Sequence, residues 1–69
     1  MSVEELEARV KKLSMRATDA KMNLHDLAEE LPVDWEKIPE TATATFEVYK
    51  ELTAARKELK AAKKAAAEA

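Results

Sequence analysis

Apolar residues fall at Val3, Leu6, Val10, Leu13, Ala17, Ala20, Leu24, Leu27 and Leu31, in alternating steps of three and four kept without a slip over four heptads. On a helix this spacing draws one narrow stripe, a seam built to face a second helix rather than a broad core. Ser2 followed by Glu5 supplies a capping box, so the helix starts almost at Val3. Pro32 pushes Leu31 toward extended geometry, which ends the helix near Glu30 at a length of about 42 Å.

The stretch LPVDWEKIPE holds both prolines, and Asp34 is placed to cap a single turn running through Trp35 to Ile38. Pro39 suits the first turn of a second helix, where its missing N–H costs nothing. The seam then resumes at Thr41, Thr45, Val48, Leu52, Ala55, Leu59, Ala62 and Ala66. The alanines of the AAKKAAAEA tail favour helix but bring little to bury, and fraying is expected there. The expected fold is therefore all-α and a single domain over 1–69: helix 1 from about 3 to 30, a turn over 31–38, and helix 2 from about 39 to 66.

A connection this short makes the two helices antiparallel. With their ends level, the layers pair Leu31 with Thr41, Leu27 with Thr45, Leu24 with Val48, Ala20 with Leu52, Leu13 with Leu59, Val10 with Ala62 and Leu6 with Ala66. Large meets small in most layers, but Ala17 meets Ala55 and leaves a waist that a third helix or a large neighbouring side chain could fill.

One hairpin of 69 residues has too little core to offset the entropy of ordering it, so it should associate. Surplus apolar groups are present for this. Ala8, Met15 and Met22 recur every seven residues opposite the seam of helix 1, and Phe46 and Tyr49 flank the seam of helix 2. This second stripe reads either as the core of a homo-oligomer, a four-helix dimer or six-helix trimer, or as an adaptable docking surface for another protein.

Composition removes several function classes. There is no glycine, and phosphate loops and nucleotide fingerprints need that residue's positive φ or its lack of a side chain. With no cysteine, one histidine and two serines, nucleophile and base pairs are scarce, and no catalytic residue is assigned. The start MSVEELEA is acidic and lacks the basic-then-apolar pattern of a secretory signal. No apolar run reaches the roughly eighteen residues of a membrane span. A cysteine-free chain also fits a reducing compartment, so a cytoplasmic protein is expected.

Charge is unevenly spread. Residues 1–21 carry five cations against four acids, residues 22–51 two against eight, and residues 52–69 five against two. The net of −2 therefore conceals an acidic turn end and a basic open end. The basic end is either a solvated face or a surface that steers an acidic partner or nucleic acid. Nucleic acid ranks last, because no aromatic platform lies among those lysines.

Within the acidic end, His25 and Glu29 stand one helical turn apart and Asp26 adjoins them, with Met22 beside the group. Imidazole and carboxylate together suit a divalent transition metal such as nickel or zinc. Two ligands from one chain make a weak site that symmetry could double or triple. The alternative is a surface histidine near a helix C-terminus, where a cation is favoured in any case. Trp35 is either a plug over the last seam layer, with Leu31, Val33 and Ile38, or an exposed anchor for a partner.

The run RATDAKMNLHDLAEELPVDWEKIPETATATFEVYKEL, residues 16–52, resembles the Rop-like family of small proteins encoded among nitrogen-fixation genes in bacteria and cyanobacteria. The specific part is Lys21 and Met22 through His25, Asp26, Leu27, Ala28, Glu29, Leu31 and Pro32, continued by Trp35, Ile38, Glu40 and Tyr49. The resemblance implies an oligomerising helical hairpin with a role around nitrogenase or its assembly, and it implies no particular activity. It places His25, Asp26 and Glu29 on the family's signature. This chain departs from the pattern at Glu30, where the family often has a glycine that would supply a left-handed helix cap. The plasmid RNA-binding protein behind the family's name shares a shape, and no function is carried across from it.

The expectation is thus a non-enzymatic accessory protein of nitrogen fixation. In the first reading it is an interaction or scaffold module contacting a nitrogenase-pathway protein through Trp35, Met22, Met15, Phe46 or Tyr49. In the second it handles a divalent metal through His25, Glu29 and Asp26 at an oligomer interface.

Overall fold

The computed structural model describes residues 2–68. Two helices, α1 (Val3–Glu30) and α2 (Ile38–Glu68), form an antiparallel hairpin about 55 Å long and 15 Å across. A short 3-10 turn at Trp35–Lys37 lies between them.

Helix α1 begins as its sequence dictates. The Ser2 hydroxyl accepts the Glu5 N–H at 3.1 Å and donates to the Glu5 carboxylate at 3.2 Å. The carboxylate thus returns to the hydroxyl, and one orphan backbone donor of the first turn is satisfied. At the other end Leu31 has the extended backbone that Pro32 imposes, φ −54° and ψ 140°. Glu30 stays helical, so the position where the family often has glycine needs no left-handed backbone here.

The left-handed residue lies four positions later. Asp34 has φ 57° and ψ 26°, a conformation that aspartate tolerates better than most residues. This alters its expected role: it precedes the 3-10 turn as a cap would, but its side chain makes no capping hydrogen bond. Its carboxylate instead lies 3.9 Å from the Lys37 ammonium. Backbone bonds from Val33 N–H to Glu30 O and from Trp35 N–H to Pro32 O hold the reversal. The Leu31–Pro32 peptide is cis.

Because Pro32 to Asp34 complete the reversal, Trp35–Lys37 already descend beside α1, and the two helix ends are not level. The seam register consequently differs from the expected one. Thr45 donates to the Ala20 carbonyl at 3.4 Å as well as to the Thr41 carbonyl at 2.8 Å. Thr45 is therefore level with Ala20 rather than with Leu27, a shift of one heptad. The same register sets Leu6 against Leu59 and Leu13 against Leu52. Burial agrees: Leu6, Leu13 and Leu52 are buried, Leu59 is half-buried, and Ala66, the expected partner of Leu6, is exposed.

The shift also removes the waist. Leu13, Ala17, Leu52 and Ala55 form one cluster with Val10 and Val48 packed against it. In this register Ala17 meets Val48 and Ala55 meets Val10, so each small side chain faces a larger one. Both alanines are 2% exposed.

Helix α2 remains helical to Glu68, and in this register its last turn and a half extends past Val3 with no opposing helix. Among the described residues only Leu6, Leu13, Ala17, Leu52 and Ala55 are buried. That is a thin seam for a chain of this size. Among the described residues no helix is long and apolar enough to cross a membrane.

Candidate functional site at the turn end

The last two and a half turns of α1 carry Met22, His25, Asp26 and Glu29 on the side away from the seam. Helical spacing brings the three ionisable groups together. His25 Nε2 lies 3.3 Å from a Glu29 carboxylate oxygen, and His25 Nδ1 lies 3.6 Å from one of Asp26. One ligand atom from each residue falls within 4.8 Å of the others, and all three side chains are exposed.

The geometry favours Glu29 over Asp26 as a metal co-ligand. With metal–ligand bonds of about 2.1 Å, a nitrogen and an oxygen 3.3 Å apart subtend about 104° at a shared ion, near the tetrahedral angle. Asp26 faces the opposite ring nitrogen, where a carboxylate orients an imidazole, although 3.6 Å is long for a hydrogen bond. A single chain offers two such ligands with open solvent around them. A closed tetrahedral site would need two more.

Above this patch the turn is apolar and uncovered. Trp35 is 61% exposed, and Val33, Leu31 and Ile38 are exposed with it. This exposure goes against the plug reading of Trp35: in the single chain most of the residue is open rather than packed over the last seam layer. The other partner-binding candidates are also on the surface. Met15, Met22 and Phe46 are more than half exposed and Tyr49 is partly so.

Two open grooves of about 420 Å³ each mark the flanks of the hairpin; the first has no counterpart in the sequence reading, and the second includes Phe46 and Tyr49, which that reading sets beside the seam. One, beside the Thr45–Ala20 contact, is lined by Ala20, Asn23, Glu40, Thr41, Ala44 and Thr45. Its signal was the run of small residues on α2, which leaves room along the seam. The other is lined by Thr45, Phe46, Tyr49, Lys50 and Thr53.

Comparison with known proteins agrees with this architecture. A solution NMR structure from a structural-genomics consortium superposes with a TM-score of 0.83 at 48% identity, covering 91% of this chain and 92% of the other. A UPF0437 protein of Azorhizobium caulinodans is 52% identical over 58 residues, 84% of each chain. A second, from a Nostoc species, is 44% identical over 59 residues, 86% of this chain and 83% of its own. A protein of Frankia alni described as "in nifX-nifW intergenic region" is 46% identical over 44 residues, 64% of this chain and 54% of its own. The Rop-like family model matches residues 1–64, and the chain belongs to that family.

Proposed function

We infer that the protein is a non-enzymatic, cytoplasmic accessory of nitrogen fixation, and that its turn end docks on a protein of the nitrogenase pathway. The observation that carries this reading is the uncovered apolar turn, with Trp35 at its centre and acidic groups around it. A tryptophan held in the open on an ordered turn is the type of residue that dominates protein interfaces. The setting comes from the Frankia relative, whose description places it between two nif genes. The small inventory of nucleophiles and bases supports a binding role over catalysis.

A second copy of the chain covers the outer face of α1. Met15 and Met22 are 64% and 52% exposed opposite the seam, and five buried residues are a small core for a free-standing hairpin. Light scattering behind a sizing column tests this: a dimer or trimer is expected, and a stable monomer at micromolar concentration refutes it. The docking reading is tested by pulling down partners from nitrogen-fixing cells with wild type and with the His25→Ala, Trp35→Ala double variant. Loss of a specific partner is expected, and full retention moves the function away from the turn end.

The His25–Glu29 geometry favours one alternative, a metal-handling protein that takes nickel or zinc with the remaining ligands supplied by a second copy. Calorimetry of both metals against wild type and His25→Ala tests it. Equal, negligible heats end this reading.

A further inference from the structure

Helix α2 sorts its charges without exception. Placed on a heptad wheel whose seam holds Thr45, Val48, Leu52 and Ala55, the cations Lys50, Arg56, Lys57, Lys60, Lys63 and Lys64 all fall in the three columns on one flank and the outer edge. The acids Glu40, Glu47, Glu51, Glu58 and Glu68 all fall in the other two. Phe46, Tyr49 and Thr53 share the basic columns and line the second groove together with Lys50. The result is a solvent-facing stripe about 27 Å long from Phe46 to Lys64, with an apolar notch at one end and cations along the rest.

Folding alone does not favour this arrangement. Lys60 with Lys63 and Lys64, Lys57 with Lys60, and Arg56 with Lys60 are like-charged neighbours three or four residues apart, each unfavourable by a few tenths of a kcal/mol. Interleaving the five acids of the same helix would have turned several of these contacts attractive. None of the six cations has a carboxylate within 4.0 Å among the described residues. No acid of α2 lies in the stripe's own columns, and Glu47 and Glu68 neighbour it only at its two ends, beside Lys50 and Lys64.

We propose that this stripe is a docking site for an acidic amphipathic helix of another protein, with an apolar side chain in the Phe46–Tyr49 notch and carboxylates along the lysines. Charge complementarity sets the sign of the partner, and spacing sets its form. Tyr49, Arg56 and Lys63 repeat every seven residues, as do Phe46, Thr53 and Lys60, and Lys50, Lys57 and Lys64. A helix lying alongside shares this repeat. A phosphate backbone does not share it, and the acidic turn end would repel one. A second copy offering the same basic face would place lysines against lysines. The stripe lies on α2, apart from Trp35 and from the methionines of α1, and only Phe46 and Tyr49 are shared with the self-association reading, which the oligomeric state of the variants tells apart.

The test uses the full-length protein and a fluorescent synthetic peptide of about four heptads, with leucine at the seam positions and glutamate elsewhere. Polyglutamate of equal length, single-stranded RNA and duplex DNA serve as competing probes. Anisotropy is expected to show peptide binding that weakens roughly tenfold in the Lys57→Glu, Lys60→Glu variant and severalfold in Phe46→Ala, with unchanged helical circular dichroism and oligomeric state. Polyglutamate binding as well as the peptide, either nucleic acid binding more tightly, or charge reversal without effect would each overturn the proposal. So would a smaller oligomer in either variant, because the occupant would then be a second copy.

Discussion

Replacing Ala17 by leucine separates the two seam registers by the sign of the effect. If the helix ends were level, Ala17 would face Ala55 across an under-filled layer, and three added carbons would gain up to about 2.4 kcal/mol at about 0.8 kcal/mol each. In the observed register Ala17 is 2% exposed within the Leu13–Leu52–Ala55 cluster, with Val48 against it. An isobutyl group there would have to displace these neighbours, and overpacking of this kind costs about 1–3 kcal/mol. Ala17→Leu is therefore expected to lower stability by about 2 kcal/mol, read from urea unfolding followed by circular dichroism. All variants need the same chain concentration, because self-association makes the midpoint depend on it. Adding Val48→Ala should restore part of the loss, with a coupling of about 0.5–3 kcal/mol between the two sites. A more stable Ala17→Leu, or a double variant that is merely additive, would refute the one-heptad shift and reinstate the waist.

Three further outcomes follow from the turn, the first cap and the seam. Asp34→Gly should be at least as stable as wild type, and Asp34→Ala about 1 kcal/mol less stable than the glycine variant, because the backbone there has φ 57°. Equal stabilities of the two variants in urea would show that this conformation costs the turn nothing. Ser2→Ala removes the acceptor for the Glu5 N–H and should lose about 1 kcal/mol, seen most directly as faster amide exchange in the first turn of α1; unchanged protection would mean that the cap contributes nothing. Thr45→Val keeps the shape but removes the hydroxyl shared between Thr41 and Ala20, and the 3.4 Å contact to Ala20 is long, so thermal unfolding should register a loss of only about 0.5 kcal/mol.

Much of the fold was legible because it rests on local rules. The unbroken heptad spacing, the Ser2–Glu5 cap and the two prolines define both helices to within two residues of their observed ends. Register was not legible for a physical reason: a seam that repeats every seven residues fits its partner again after a slip of seven. The choice is made by the reversal at Pro32 to Asp34, whose left-handed aspartate carries no pattern that a hydrophobic count detects. The contact of His25 with Glu29 was readable from i, i+4 spacing alone, and so was the exposure of Met15 and Met22 opposite the seam. Trp35 read either as a plug or as an exposed anchor, because a lone tryptophan beside a seam suits both, and spacing alone could not supply its exposure of 61%.

The hairpin also decides what one molecule can hold apart. Ser2 and Glu68 lie at the same end, and Trp35 lies at the other, along an axis of about 55 Å. A label or fused domain attached at either terminus thus sits well beyond the Debye length from the turn, at about 8 Å in physiological salt. Fluorescent or affinity tags on this chain therefore report on the turn end without perturbing it electrostatically, and energy transfer between a terminal dye and Trp35 becomes a gauge of whether the rod stays straight when something grips it.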